Sequence, residues 1–336
     1  MPAIPVTPFR WRDGERLVVF GRRRLEEAGE LAGSQYVLLA TPRALRAAPW
    51  LAERASFVHE VGVGRVDEVA GSLRPAVRGE TLVALGGGRV IDVAKALAAA
   101  EQPRRVVAIP TTLSGAEMTP IHRRAAGADP SGPGVRPAVV INDPALSASQ
   151  PIAELAQSAS NALGHAIEGP MTPLANPVVT LAALHAARLI GWGFDGRAVD
   201  DAARDALALG ALLGGYVIGS TGYGLHHVLS QTLARFAGVG HGPANAIMLP
   251  ESARALRDRA PGWYFAAFTD ALAAEPEEFA ARLRDLGGIP TLREAGVSEA
   301  QLEQCVSEAS KRPELQMTPP PADADELRRL YAAAYC

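Results

Sequence analysis

Up to Pro144, short apolar and β-branched runs alternate with stretches of helical periodicity. The runs predict strands at Arg16–Phe20, Tyr36–Ala40, Phe57–Val61, Thr81–Leu85, Arg105–Ile109 and Ala138–Ile141. Strands alternating with helices are the pattern of a parallel sheet covered by helices. Beyond Pro144 the chain turns to long Ala/Leu-rich helical stretches with no strand pattern, which predicts an all-helical second domain. The fold class expected is therefore α/β + all-α, with a Rossmann-like parallel-sheet domain at 1–146 and an all-helical domain at 147–336. Open parallel sheets bind ligands beyond the carboxyl ends of their strands, so the loops after Leu85 and Ile109 are expected to face a cleft between the domains.

Composition narrows the function classes. Of 336 residues, 48% are hydrophobic and 21% charged, the balance of a folded protein. A formal charge of -3 gives no basic field for a nucleic-acid partner. The N-terminal segment lacks the apolar core of a signal peptide, and no run is read as the roughly 20 apolar residues of a membrane span. Cys305 and Cys336 stand far apart with no metal-type spacing, which suits a reducing compartment. A cytoplasmic enzyme with no membrane and no nucleic-acid partner is the expectation.

The strand ending at Leu85 runs into Gly86, Gly87 and Gly88, and Arg89 to Lys95 then opens a helix. Glycines let backbone approach a ligand closely, and a helix N-terminus favours phosphate. Arg89 and Asp92 belong to this string. The next loop, IPTTLSGAEMTP, offers Thr111, Thr112, Ser114 and Thr119 as hydroxyl donors and includes Met118. A third candidate, Thr41 with Pro42, ends the second strand.

In the helical half, Asn161 and His165 stand at i and i+4 and share a helix face. So do His227 and Gln231, and His241 follows before a Gly-Pro turn. Three imidazoles can hold a zinc ion with an open fourth position. His185 and His226 read as packed polar residues of the core.

These strings carry a family resemblance. GGGRVIDVAK resembles the phosphate loop of iron-containing alcohol dehydrogenases, and LATP and IPTTLSGAEMTP are similar to elements of maleylacetate reductases within that superfamily, with Ala116 where those enzymes have Ser. The closing helices look alike as well. The resemblance implies the dehydroquinate synthase-like fold of that superfamily, a homodimer, and NAD or NADP on Gly86–Gly88, Arg89, Asp92, Thr41, Pro42, Thr111, Thr112, Ser114 and Met118. Pro42 and Arg43 stand where NAD-preferring members often carry an acid, so both nucleotides stay open. It also puts Asn161, His165, His227 and His241 at the metal-ligand positions and Gln231 at that of a further histidine. Asn161 replaces the only anionic ligand, so a divalent metal (Zn or Fe) is expected to be weakly held or absent, with His165, His227 and His241 as its ligands if one binds.

The activity implied is hydride transfer between nicotinamide C4 and a carbonyl or alcohol carbon, with a keto acid as substrate. His165, His227 and His241 would meet the charge on the substrate oxygen, and His227 would move the proton. Gln231 removes a proton relay through its position. Two alternatives follow from the same motifs: a biosynthetic dehydrogenase that oxidises a peptide C-terminal threonine with decarboxylation, of the daptide type, and an inactive nucleotide-binding relative. The partner is accordingly a small molecule or a peptide.

Overall fold

The structure, a computed structural model, describes residues 4–196 and 198–336. The chain divides into two compact units, Pro5–Ser149 and Gln150–Cys336, the second joined by Ile4. The first unit is built on a seven-stranded sheet of β1 (Phe9–Asp13), β2 (Arg16–Phe20), β3 (Val37–Ala40), β4 (Phe57–Glu60), β5 (Thr81–Gly86), β6 (Arg105–Pro110) and β7 (Val139–Asn142), in the order β1-β2-β7-β6-β5-β3-β4. All neighbours pair in parallel except β1 with β2.

The central strands are apolar on both faces, as helices covering both sides require. Leu82 and Ala84 of β5 pack with Val37, Leu39, Val106, Ala108 and the inner face of the Gly88–Ala100 helix. Val83 and Leu85 face the other way, onto Leu38, Ala40, Val107, Ile109 and Leu51. β1 lies outside the predicted strands. Its Phe-Arg-Trp-Arg alternation leaves side chains by turns half-buried and exposed, as an edge strand allows. Gly14, at φ 60°, opens the two-residue turn that pairs Asp13 with Arg16.

The second unit is helical throughout its described residues. Its centre is formed by the Ile152–Glu168, Pro177–Gly193, Asp201–Thr221 and His241–Arg257 helices, which pack against one another. Polar caps set where they begin: Asn176 Oδ1 accepts from Val179 N at 3.1 Å, with Pro177 in the first turn, and Asp200 Oδ1 accepts from Ala203 N at 2.9 Å. The 21-residue Asp201–Thr221 helix corrects the expectation of no span-length apolar segment, since length and composition alone would let it cross a membrane. Most of its apolar face is buried against the Pro177–Gly193 and Ile152–Glu168 helices, so its hydrophobicity is that of a core helix. Both cysteines are free, Cys305 buried and Cys336 exposed.

Candidate functional site

In the sheet unit the three candidate loops follow β3, β5 and β6, which are adjacent strands, so all three emerge at one sheet end. Gly87 is the N-cap of the 13-residue Gly88–Ala100 helix, and no side chain caps it. None of Gly86, Gly87 and Gly88 has a positive φ, so the need for glycine is one of space. A Cβ on Gly87 would stand 3.0 Å from the Thr112 side chain, and one on Gly88 would stand 3.0 Å from Ser114 Cβ. The glycine loop and the Thr111–Thr119 loop therefore touch, joined also by the Thr111 N–H to the Gly86 carbonyl at 3.0 Å.

The remaining candidates in this unit divide. Arg89 is exposed and forms no hydrogen bond or ion pair among the described residues. Thr112 and Ser114 are half-buried, Thr111 is buried, and Ser114 Oγ also accepts from Ala116 N at 3.3 Å. Thr41 Oγ1 accepts from Ala44 N at 3.3 Å, and Pro42 follows at the first position of that short helix, so this pair caps a helix. Asp92 lies 2.7 Å from Lys95 Nζ. Met118 is 1% exposed, packed inside the unit and not presented at a surface. Lys95 itself is fully buried and donates to the carbonyls of Ala116 and Ile121 at 2.9 and 2.7 Å, which pins the hydroxyl-bearing loop from behind.

In the helical unit, Asn161, His165 and Glu168 occupy i, i+4 and i+7 of the Ile152–Glu168 helix and are all buried. His226 and His227 come from the Leu225–Thr232 helix. His165 and His227 stack at 4.7 Å between ring centroids, 17° from parallel, while His226 meets His227 edge-on at 4.8 Å. Gly164 makes this possible, because a Cβ there would stand 2.6 Å from His226 Nε2. His241 heads the His241–Arg257 helix and is exposed.

Glu168, which the sequence reading did not single out, organises the cluster. Its Oε1 accepts from the His226 backbone N–H at 2.6 Å and its Oε2 lies 2.7 Å from His227 Nδ1. The carboxylate thus sits at the N-terminus of the Leu225–Thr232 helix, where unfilled N–H groups and the positive dipole end favour an anion. Burial pushes the carboxyl pKa up, while the electrostatic pull of the His226 ring and backbone donors at Gly224, His226 and His227 oppose the rise. With donors on both oxygens, Glu168 takes the Nδ1–H of His227, and Nε2 is left as the ring's acceptor. That Nε2, like His165 Nδ1, is buried without a hydrogen-bond partner among the described residues.

His226 is different. Its Nε2–H donates to Asn245 Oδ1 at 3.1 Å and its Nδ1 accepts from Ser252 Oγ at 2.8 Å, so both ring nitrogens are satisfied and the residue is structural, as expected. His185 departs from expectation, being exposed on the Pro177–Gly193 helix and not packed in the core. Burial lowers His226 and His227 to about 3 and His165 well below its ordinary value, so all three rings are neutral at neutral pH. Gln231 turns to Arg312, whose Nη2 donates to Oε1 at 3.1 Å.

A nucleotide and a metal fare differently against these residues. An uncapped helix start, a close-approach glycine loop and the unengaged Arg89 fit a dinucleotide phosphate. No group of three or more His, Cys, Asp or Glu among the described residues is placed to hold a metal ion. Among the described residues the carboxylate bonded within the cluster, Glu168, is already taken by His227 and backbone N–H groups, so it is not free to serve as an anionic metal ligand.

Comparison with known proteins covers both units. Residues 16–144 match the iron-containing alcohol dehydrogenase model, and residues 155–335 match that of the Fe-containing alcohol dehydrogenase family, C-terminal. Maleylacetate reductase 2 of Cupriavidus pinatubonensis is 35% identical over 255 residues, covering 70% of each chain. The maleylacetate reductase of a Rhizobium species is 29% identical over 349 residues, covering 98% of each. The crystal structure of maleylacetate reductase from Agrobacterium tumefaciens superposes with a TM-score of 0.82 at 26% identity, covering 97% of each chain.

Proposed function

The chain belongs to the iron-containing alcohol dehydrogenase family and is an NAD(P)-dependent oxidoreductase, and from that premise we propose that it reduces the carbonyl system of a keto acid, with His227 handling the proton. The observation that carries this reading is the Glu168–His227 pair, with Nδ1 tied to Oε2 at 2.7 Å and Nε2 buried and unpartnered. Buried polar atoms are otherwise nearly always bonded, so a bare ring nitrogen beside a second bare one at His165 is a place for a ligand. Relatives named maleylacetate reductase support the keto acid.

When bound, the nicotinamide supplies the hydride at C4. The chain's own residues do the rest. Gly86–Gly88 admit the phosphates to the helix start, Arg89 offers a free cation there, and Thr112 and Ser114 offer hydroxyls on the adjoining loop. His165 and His227 stand stacked where the negative charge develops on the substrate oxygen, and His227 Nε2 meets that charge once a proton has reached it. The alkoxide left by hydride transfer takes its proton from solvent by way of His227 Nε2, which holds it only in passage, and Glu168 balances the ring's charge while the proton is held. In the reverse direction the neutral ring accepts the hydroxyl proton.

The test is NAD(P)H oxidation at 340 nm by the purified protein with a panel of small keto acids and neutral ketones of matched size. Turnover of keto acids with kcat/KM at least tenfold above the neutral set is the expected result. Preference for the neutral ketones would overturn the substrate assignment, and no oxidation with any carbonyl compound would overturn the activity itself.

A further inference from the structure

A keto acid brings a carboxylate as well as a carbonyl to the histidines. The helical unit contains a cation fixed beside them. Gln231 lies one turn beyond His227 on the Leu225–Thr232 helix, and Tyr223, in the turn before that helix, sets its ring 5.8 Å from the His227 ring. Arg312 bridges the two: its Nη2 donates to Tyr223 Oη at 3.0 Å and to Gln231 Oε1 at 3.1 Å. Glu314 holds the same guanidinium from one edge, Oε2 accepting from Nε and Oε1 from Nη2, both at 2.9 Å. Tyr223 closes the ring of contacts by donating to Glu314 Oε1 at 3.0 Å.

The whole segment is strapped onto the start of the histidine helix. Thr318 Oγ1 accepts from Leu225 N at 3.0 Å, and a Cβ on Gly224 would stand 2.0 Å from that oxygen, so only glycine permits the approach. Arg312 is thereby held by three side chains while its remaining terminal nitrogen, Nη1, bonds nothing among the described residues. Its side chain is 23% exposed, so the guanidinium is not sealed in the core. An arginine whose rotamer is already fixed loses little entropy on binding, and a planar fork suits a carboxylate.

We propose that Arg312 takes the carboxylate of the substrate through its Nη1 edge, with Gln231, Tyr223 and Glu314 as positioning residues. This rests on the reading that the substrate is a keto acid. It also gives Gln231 a purpose: a histidine at that position has no carbonyl oxygen to accept from the guanidinium. Glu314 neutralises Arg312 at long range, so the contact with substrate is short-range and directional.

The experiment compares wild type with Arg312→Met and Arg312→Lys on one keto acid and its neutral methyl ester, with NAD(P)H affinity measured by fluorescence titration. For the acid, KM should rise at least 30-fold in Arg312→Met, with kcat within about threefold, and Arg312→Lys should recover only part of the loss. For the ester the change in kcat/KM should be several-fold smaller. Equal losses on acid and ester would make Arg312 a structural strap and overturn the proposal, as would an unchanged acid KM. If Arg312→Met does not fold, the lysine variant carries the same comparison, and its equal treatment of acid and ester overturns the proposal. A wild type that prefers neutral ketones overturns the keto-acid reading first, and it is scored on wild type alone.

Discussion

Glu117 shows how far burial resets a single side chain. It is 1% exposed, its Oε2 has no partner among the described residues, and burial pushes its pKa from 4.5 to about 7 against the pull of Lys95 and Arg16. The folded chain then binds this proton more tightly than the unfolded chain, so stability falls as pH rises from 4.5 towards 7. A shift of this size corresponds to about 3 kcal/mol, at about 1.4 kcal/mol per unit. Glu117→Gln carries no such proton and should lose correspondingly less stability than wild type between pH 5 and pH 8, read from denaturant unfolding at the two values. Parallel pH profiles in the two proteins would show that Glu117 does not titrate in this window. Nothing in IPTTLSGAEMTP announced this, because the charges around Glu117 that oppose the shift, Lys95 and Arg16, are remote in sequence. Glu168 was closer to legible: Asn161, His165 and Glu168 repeat at helical spacing, and extending the face by one more turn finds it.

Among elements, the glycine loop and the Thr111–Thr119 loop work as one piece, since each occupies the space a side chain on the other would need. Gly87→Val places a branched side chain against Thr112 and across the helix start, where the phosphates are assigned. Cofactor affinity should fall at least tenfold, about 1.4 kcal/mol, in a fluorescence titration of protein whose circular dichroism is unchanged. Retained affinity would detach the nucleotide from this loop. Strand positions were readable to within a residue wherever β-branched runs were buried on both faces, as in β5 and β6. β1 escaped because Arg10 and Arg12 interrupt its apolar residues, and an edge strand needs burial on one side only.

At the scale of the whole molecule the proposed reading divides the chemistry between units of different architecture. The assigned phosphate loop belongs to Pro5–Ser149 and the histidine cluster to Gln150–Cys336. The change of architecture after Pro144 was readable from the loss of strand pattern, and the family's motifs pointed to Asn161, His165, His227 and His241. Side-chain partners were not readable, since the contacts that define Arg312 and Glu168 join residues 81 and 59 positions apart in the chain. The division predicts that the two functions separate under mutation. Single-turnover hydride transfer from NAD(P)H to the keto acid in His227→Ala should slow on the order of 100-fold, while nucleotide Kd stays at the wild-type value in protein whose circular dichroism shows it folded. A wild-type hydride-transfer rate in that variant would contradict the assignment of His227 as the proton-handling group.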